Sequence, residues 1–288
     1  MGLLSRIFKR RIKDYDTDAL KPRGNYIDPS VPRQIVVAQA EDAENDTLSL
    51  RIAELRTPDN RLLVKEISID LKPGDKVMVT GPSGSGKSTL FRAISGLWPY
   101  GMGDIVVPQH RNLMMLPQKP HLPLMNLEGV LSYPLDNVPY SREDMVEAMK
   151  TVGLENYIPA FDDENVTGAT LETSMSGGEK QRLAFARVLL AKPKMLFLDE
   201  CTSALDVTWQ AKMYGAVMQA LPDSVIISIS HRAELAKFHT IGMMITDDKD
   251  MKISDISEMD QRYLAPDHGG TAPTLDDPQP KPKPHKPA

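Results

Sequence analysis

A glycine-rich turn constrains the possible folds of this chain more than any other feature of its sequence. The residues Gly81-Pro-Ser-Gly-Ser-Gly-Lys-Ser88 follow a short apolar run, DKVMVTG at 75–81, and open a stretch of helical character. The glycines let a backbone wrap around a phosphate, while the amides and dipole of the next helix attract its charge. Lys87 can reach outer phosphates, and Ser88 can hold Mg²⁺. We expect a nucleotide to be bound by Gly81, Pro82, Ser83, Gly84, Ser85, Gly86, Lys87, Ser88 and Thr89.

A second apolar run, KMLFLDE at 194–200, ends in two acidic residues. Continuous apolar runs are typical of strands that are buried on both faces of a parallel sheet, and SVIISIS at 224–230 has the same pattern. A strand of this kind would place Asp199 at the carboxyl edge of the sheet beside the phosphate loop, where it can hold Mg²⁺. Glu200 follows directly and could polarise an attacking water molecule.

Strand and helix patterns alternate through the middle of the chain, which predicts an α/β core. The alternation in LSLRIAEL at 48–55 predicts an antiparallel strand. Helices are expected around 141–153, 178–191 and 207–221, and also in GLENYI at 153–158.

The two ends of the chain differ in composition from the middle. Residues 1–12 place apolar side chains at helical spacing among basic ones, which fits either an amphipathic helix at a membrane surface or a stub of linker helix. Residues 13–47 are polar and contain three prolines, so they predict a linker with little structure. The tail, 263–288, is rich in proline and lysine and predicts disorder. The folded domain is therefore expected at 48–262.

Bulk properties exclude several classes of function. The net charge of −5 gives no reason to expect nucleic-acid binding. The single cysteine, Cys201, rules out a disulfide within the chain. No stretch approaches the apolar length that crosses a bilayer.

The segment MSGGEKQRLAFARVLLAKPKMLFLDECTSALD, at 175–206, resembles an ABC ATPase in the order and spacing of its signature, second Walker motif and D-loop. The usual signature is LSGGQ, and MSGGE is a mild departure from it. The resemblance spans about residues 48–262. It implies a P-loop NTPase with a RecA-like core, an antiparallel β subdomain and an α-helical ABC subdomain at about 119–180.

The resemblance also assigns roles to single residues. Gln118, in MLPQKP, matches the Q-loop, which touches Mg²⁺ or water and faces the transmembrane partner. Asp206 matches the D-loop that crosses the dimer, and His231 matches the switch histidine that contacts the γ-phosphate. Small residues at the start of a helix form an anion site. In the family this site grips the nucleotide of the opposite subunit, and the matching residues are Ser176, Gly177 and Gly178.

Taken together, these matches imply one complete site. The implied catalytic residues are Glu200, His231, Lys87 and Gln118. The implied Mg²⁺ ligands are Ser88, Gln118 and Asp199. The histidines that match no family role, and for which we expect structural positions, are His110, His121 and His239.

Three further segments resemble subfamily D of the ABC proteins, namely SGLWP at 95–99, LPQKPHLP at 116–123 and LSYP at 131–134. This group includes peroxisomal fatty-acyl transporters and bacterial relatives that import peptides or cobalamin. We expect Trp98 to be a packed aromatic that follows the end of a helix. Many ABC ATPases stack adenine on an aromatic upstream of the phosphate loop, but residues 55–58 contain none, so weaker contacts are expected to hold the base.

The resemblance implies an ATP-hydrolysing motor of a transporter, with ATP and Mg²⁺ as ligands. Two ATPase domains would pair as a homodimer or heterodimer and drive a transmembrane domain, which lies on another chain or in a missing portion. The resemblance places this assembly at the cytoplasmic face of a membrane. A non-transport ABC protein acting as a nucleotide-switched interaction module is the alternative. The span of about sixty residues between Gln118 and Ser176 leaves no room for a long coiled coil. A catalytically weak regulatory domain is a third reading, although every catalytic position is filled.

Overall fold

The computed structural model of the protein describes residues 34–40, 46–108, 113–135 and 139–259. The expected N-terminal helix at 1–12, the tail at 263–288 and His110 lie outside these described residues. Within them, two β-sheets and a group of helices carry the site. No helix among the described residues combines the length and apolar character that crossing a membrane requires.

The larger sheet has six strands in the order β10-β9-β4-β8-β7-β6. All neighbouring pairs are parallel except β10 with β9. Every residue of β8 is buried, and so is every residue of β7 except its last, Asp199, which confirms the prediction of strands covered on both faces. The six strands are β4 Lys76–Thr80, β6 Leu113–Leu116, β7 Met195–Asp199, β8 Val225–Ile229, β9 Ile241–Ile245 and β10 Met251–Asp255.

The smaller sheet has the order β1-β5-β2-β3. Strand β2 pairs antiparallel with β3 and β5, as its alternating sequence predicts, and β1 lies parallel to β5. The prediction of a linker with little structure at 13–47 is wrong for residues 35–39, because IVVAQ supplies apolar side chains that the sheet buries. The strands are β1 Ile35–Gln39, β2 Leu48–Arg56, β3 Leu62–Leu71 and β5 Gly101–Val107.

Helices cover both faces of the parallel sheet. Helix α1 packs between the two sheets, where Phe91 meets Phe197 with ring centroids 4.9 Å apart. Helices α5 and α6 pack on the opposite face, with Phe185 and Tyr214 in that core. The helices are α1 Lys87–Ile94, α2 Leu127–Ser132, α3 Arg142–Thr151, α4 Gly168–Ser174, α5 Gly177–Ala191 and α6 Val207–Ala220.

The predicted helices around 141–153, 178–191 and 207–221 correspond to α3, α5 and α6. The segment predicted as a helix from GLENYI forms the 3₁₀-helix Glu155–Asp162 instead of an α-helix. Pro159 lies inside it and has no backbone N–H to donate, which disfavours a continued α-helical ladder.

Candidate active site

The phosphate loop lies between β4 and α1, as the sequence predicts. Gly81 has a φ of 140°, and a Cβ there would approach the carbonyl oxygen of Ile245 to 2.7 Å. Gly86 has a φ of 107°, and a Cβ there would lie 3.0 Å from Cβ of Leu63. Both positions therefore require glycine, because other residues rarely adopt this backbone conformation and would also collide with neighbouring strands.

The loop has the donors that phosphate oxygens need. Lys87 is buried, and its Nζ donates to the carbonyl oxygens of Gly81 and Pro82, each at 2.8 Å. Ser85 is also buried, and its Oγ has no hydrogen-bond partner among the described residues. A Cβ added to Gly84 itself would meet no atom within 4 Å, so the backbone there is open to a ligand. An ammonium group, an unpartnered hydroxyl and an open backbone at the start of a helix fit the phosphates of a nucleotide.

Asp199 ends β7 and meets the phosphate loop through Ser88, whose Oγ donates to Oδ1 of Asp199 at 3.1 Å. Burial raises the pKa of Asp199, and the adjacent Glu200 carboxylate adds to this, while the bond from Ser88 and the charge of Arg92 oppose it. A buried carboxylate and a hydroxyl provide the oxygen ligands that Mg²⁺ prefers. The predicted metal-binding pair is thus brought together.

Glu200 lies between two other predicted site residues. Nε2 of Gln118 donates to its Oε2 at 3.0 Å, and Nε2 of His231 lies 3.5 Å from its Oε1. The backbone N–H of Glu200 donates to the carbonyl oxygen of Ile229 at the end of β8. Glu200 has a φ of 47°, which is uncommon for a residue with a side chain and is found at active sites. This strained turn after β7 brings the carboxylate between the amide and the imidazole.

The signature residues form the exposed start of α5. Ser176 caps the helix: its Oγ accepts from the N–H of Glu179 at 3.3 Å and donates to Oε2 of Glu179 at 2.7 Å. The backbone N–H of Ser176 donates to the same carboxylate oxygen at 2.8 Å. These bonds form a capping box, and they lower the pKa of Glu179. The departure from LSGGQ to MSGGE therefore places a charged carboxylate at this helix start, residues 176–179, which we call the signature tip.

The D-loop, residues 203–206, follows the segment of Asp199 and Glu200 and leads into α6. Oδ1 of Asp206 accepts from the N–H of Trp209 at 2.8 Å and so caps α6. Ser203, Ala204 and Asp206 are exposed. The hydrogen bonds that Ser176 and Asp206 make to Glu179 and Trp209 stay within their own helix ends, and both residues are exposed.

Two residues that hold the D-loop were missed at the level of sequence. Gln181, on α5, is buried and contacts both the D-loop and the backbone of Gln118. Arg232 donates from Nη2 to the carbonyl oxygen of Ser203 and from Nη1 to that of Leu205, each at 3.1 Å. Their only sequence signal is position, because each lies close to a motif residue.

Of the two described histidines that were expected to be structural, His239 is buried and confirms the expectation, whereas His121 is exposed. His239 is buried, with Nδ1 2.8 Å from the carbonyl oxygen of Leu235 and Nε2 2.8 Å from Oγ of Ser228. Burial lowers its pKa to about 4. His121 packs edge-on against Tyr133, with ring centroids 5.7 Å apart.

The segment upstream of the phosphate loop, 55–58, holds a guanidinium instead of an aromatic ring. Nε of Arg56 donates to Oε2 of Glu54, and Nη1 donates to the carbonyl oxygen of Asn60, each at 2.8 Å. Trp98 lies beyond the end of α1, packs against the core and donates to the carbonyl oxygen of Arg56 at 2.8 Å. The prediction of a packed aromatic after a helix end is confirmed.

A buried parallel strand, a glycine loop that opens a helix and an acid-ended neighbouring strand define a P-loop NTPase. Residues 64–203 match the family described as ABC transporter. The chain carries an ABC transporter ATP-binding domain, and this domain resembles those of subfamily D.

Known relatives agree with this assignment. An ABC transporter ATP-binding protein of Haemophilus influenzae is 38% identical over 193 residues, 67% of this chain and 32% of that protein. ABC transporter D family member 2 of Dictyostelium discoideum is 31% identical over 232 residues, 77% of this chain and 30% of that protein. A bacterial Atm1-family ABC exporter solved with ATP bound superposes with a TM-score of 0.61 and 25% identity, over 74% of this chain and 39% of that chain. The chain thus spans about a third of these relatives' length.

Proposed function

We propose that this chain hydrolyses ATP at a site shared between two copies and thereby powers a transmembrane partner. The observation that carries the proposal is the placement of Glu200. Its carboxylate lies between Nε2 of Gln118 and Nε2 of His231, next to the Ser88–Asp199 pair at the phosphate loop. A carboxylate, an amide and an imidazole beside a phosphate cradle are the groups that water activation and charge stabilisation require.

The residues of the chain divide the work of hydrolysis. The backbone N–H groups of residues 83–89 and the ammonium of Lys87 would bind the phosphates. Ser88 and Asp199 would hold Mg²⁺, with Gln118 beside them, and the bound ion would neutralise charge on the phosphate oxygens. Glu200 would orient a water molecule and accept its proton, while His231 would stabilise the terminal phosphate.

The second half of the site would come from another copy. Ser176 and Gly177 at the signature tip and Asp206 in the D-loop are exposed, and so is Val207, which begins α6. A helix start that faces outward provides backbone N–H donors to an anion outside its own chain. We therefore place the signature tip of one copy against the nucleotide that is bound by its twin.

An apolar surface supports docking to a transmembrane partner. Leu124, Met125, Tyr133 and Leu135 are all exposed, and Leu124 retains 82% of its accessible surface. These residues belong to the stretch 121–135, which follows Gln118 along the chain and is closed by the contact between His121 and Tyr133. An exposed cluster of large apolar side chains indicates an interaction surface. Because this surface follows Gln118 directly along the chain, a partner bound to it could move together with Gln118.

The test is the Glu200→Gln variant, which keeps the size of the side chain but removes the base. We expect ATP binding to persist, hydrolysis to fall by about 10²-fold or more, and an ATP-dependent dimer to accumulate. Binding is read by a fluorescent ATP analogue, turnover by phosphate release, and assembly by light scattering after size exclusion. Glu234→Gln, at an exposed glutamate three residues after His231, is the control and should behave like the wild type.

Wild-type turnover in Glu200→Gln would overturn the catalytic assignment. Co-fractionation with a membrane protein separates the transporter function from a soluble switch module. A chain that binds ATP and dimerises, but is recovered entirely without a membrane partner from its native source, contradicts the transporter part alone.

A further inference from the structure

The side chain of Gln181 joins three segments of the chain that are distant in sequence. Only 3% of its surface is exposed. Nε2 donates to the carbonyl oxygen of Gln118 at 2.9 Å and to Oγ of Ser203 at 3.1 Å. Oε1 accepts from the N–H of Ala204 at 2.9 Å. One buried amide therefore connects the signature helix α5, the segment of Gln118 and the D-loop.

Both segments that Gln181 holds also contact Glu200. The side chain of Gln118 donates to Oε2 of Glu200 at 3.0 Å. The backbone N–H of Ser203 donates to the carbonyl oxygen of Glu200 at 3.1 Å. The partners of Gln181 thus approach the catalytic carboxylate residue at its side chain and at its backbone.

The D-loop is held from the opposite side as well. Arg232 donates to the carbonyl oxygens of Ser203 and Leu205, and it directly follows His231. At the signature tip, a Cβ on Gly178 would lie 3.1 Å from the carbonyl oxygen of Ala204. The D-loop is therefore in close contact with the start of α5. It is also connected to Gln118 through Gln181, and to His231 through the adjacent Arg232.

We propose that Gln181 is a positioning residue for hydrolysis, which fixes the D-loop and Gln118 in one mutual arrangement around Glu200. The inference rests on the proposed function. A glutamine is suited to this position because its planar amide supplies two donors and one acceptor at the end of a single side chain. A movement of α5 would be passed to Gln118 and to the D-loop together, so that Glu200 and the surface facing the twin change in step.

The experiment compares two buried glutamines that flank the D-loop. Gln181→Met keeps the length of the side chain without a charge and removes the three hydrogen bonds. Gln210→Met is the matched control, since Gln210 is 1% exposed and, within the described part of the chain, donates to the carbonyl oxygen and Oγ1 of Thr202, at 3.1 and 3.0 Å. Both are made in the 288-residue chain, and melting temperature, kcat and KM for ATP are measured.

We expect Gln181→Met to lower kcat about 10- to 100-fold with KM within about threefold, because misplacing a catalytic group by about 1 Å costs this much while the phosphate loop is untouched. Gln210→Met should keep kcat within about threefold at a similar melting temperature. Ser203→Ala removes one of the three bonds without changing a buried residue. It should lower kcat by a smaller factor, and it provides the test if Gln181→Met does not fold.

The outcomes separate the two proposals. Wild-type kcat in Gln181→Met or, where that variant does not fold, in Ser203→Ala overturns the positioning role, and so does an equal loss of kcat in Gln210→Met. If the wild-type chain does not hydrolyse ATP, or if Glu200→Gln still does, the proposed function fails and this inference fails with it. Hydrolysis that depends on Glu200 but not on Gln181 contradicts the inference alone.

Discussion

The buried imidazole of His239 makes the stability of this domain depend on pH in a way that can be worked out. The carbonyl oxygen of Leu235 can only accept, so Nδ1 must carry a proton and donate to it. Nε2 then accepts from the hydroxyl of Ser228, and the ring is neutral. Burial is the main cause that lowers its pKa from 6.5 to about 4, and the positive charge of Lys76 contributes to the same decrease.

The sign and the size follow from linkage. Between these two pKa values the unfolded chain binds a proton at His239 and the folded chain does not, so acid favours unfolding. For a pKa that falls from 6.5 to about 4, the free energy of unfolding should drop by about 2 kcal/mol between pH 7.5 and pH 5. The loss begins as the pH passes below 6.5 and is complete below about 4.

The assay is urea unfolding of the wild type and of His239→Gln at both pH values, followed by the fluorescence of Trp98 and Trp209. The variant is expected to be less stable at pH 7.5, since glutamine does not reproduce both hydrogen bonds of the imidazole. Carboxylates titrate in both proteins, so the comparison isolates His239: the wild type should lose about 2 kcal/mol more than the variant on acidification. Equal pH dependence in the two proteins would refute a buried neutral imidazole at this position.

Two further predictions concern the signature tip. Ser176→Arg should abolish hydrolysis but leave ATP binding intact, whereas the control Ser174→Arg, at an exposed serine, should hydrolyse ATP like the wild type. Mixing Ser176→Arg with Lys87→Ala should restore turnover, because one intact site can form between the two chains. If both variants are folded and their mixture does not recover turnover, the result contradicts a shared site. Glu179→Gln removes a negative charge where the phosphate bound by the second copy would lie. Two unit charges about 4 Å apart in water interact by about 1 kcal/mol, so the variant should lower KM for ATP about fivefold at low salt. Glu172→Gln, which removes a charge from the pair with Lys180, is the control, and a KM that is unchanged or raised in Glu179→Gln would count against phosphate binding at this tip.

The motif residues could be predicted because their chemistry depends on local order along the chain. A strand, a glycine turn and a helix start must follow one another directly for a phosphate loop to form, and Gly81 and Gly86 adopt the positive φ values that such a turn needs. The strands β4, β7 and β8 are equally local, since each is a continuous apolar run that only a sheet covered on both faces can bury.

The features that escaped prediction depend on partners distant in sequence. Strand β1 is a short apolar segment that becomes a strand only beside β5, with Ile35 opposite Gly103. The buried amide of Gln181 finds its partners 63 and 22 residues away. Glu200, with its positive φ, donates its backbone N–H to the carbonyl oxygen of Ile229 at the end of another strand. No local pattern records these contacts.

The same division between near and distant contacts explains how the site could be controlled. The phosphate loop and Asp199 are set by their own strands within one chain, so each copy carries its own phosphate-binding cradle. The arrangement of Gln118 around Glu200 instead depends on Gln181, whose helix begins at the exposed signature tip. If two copies meet through that tip, as we propose, the contact that completes the nucleotide site in one copy acts on the helix that positions the carboxylate in the other. Hydrolysis would then depend on the meeting of the two copies, without any additional switch in either chain.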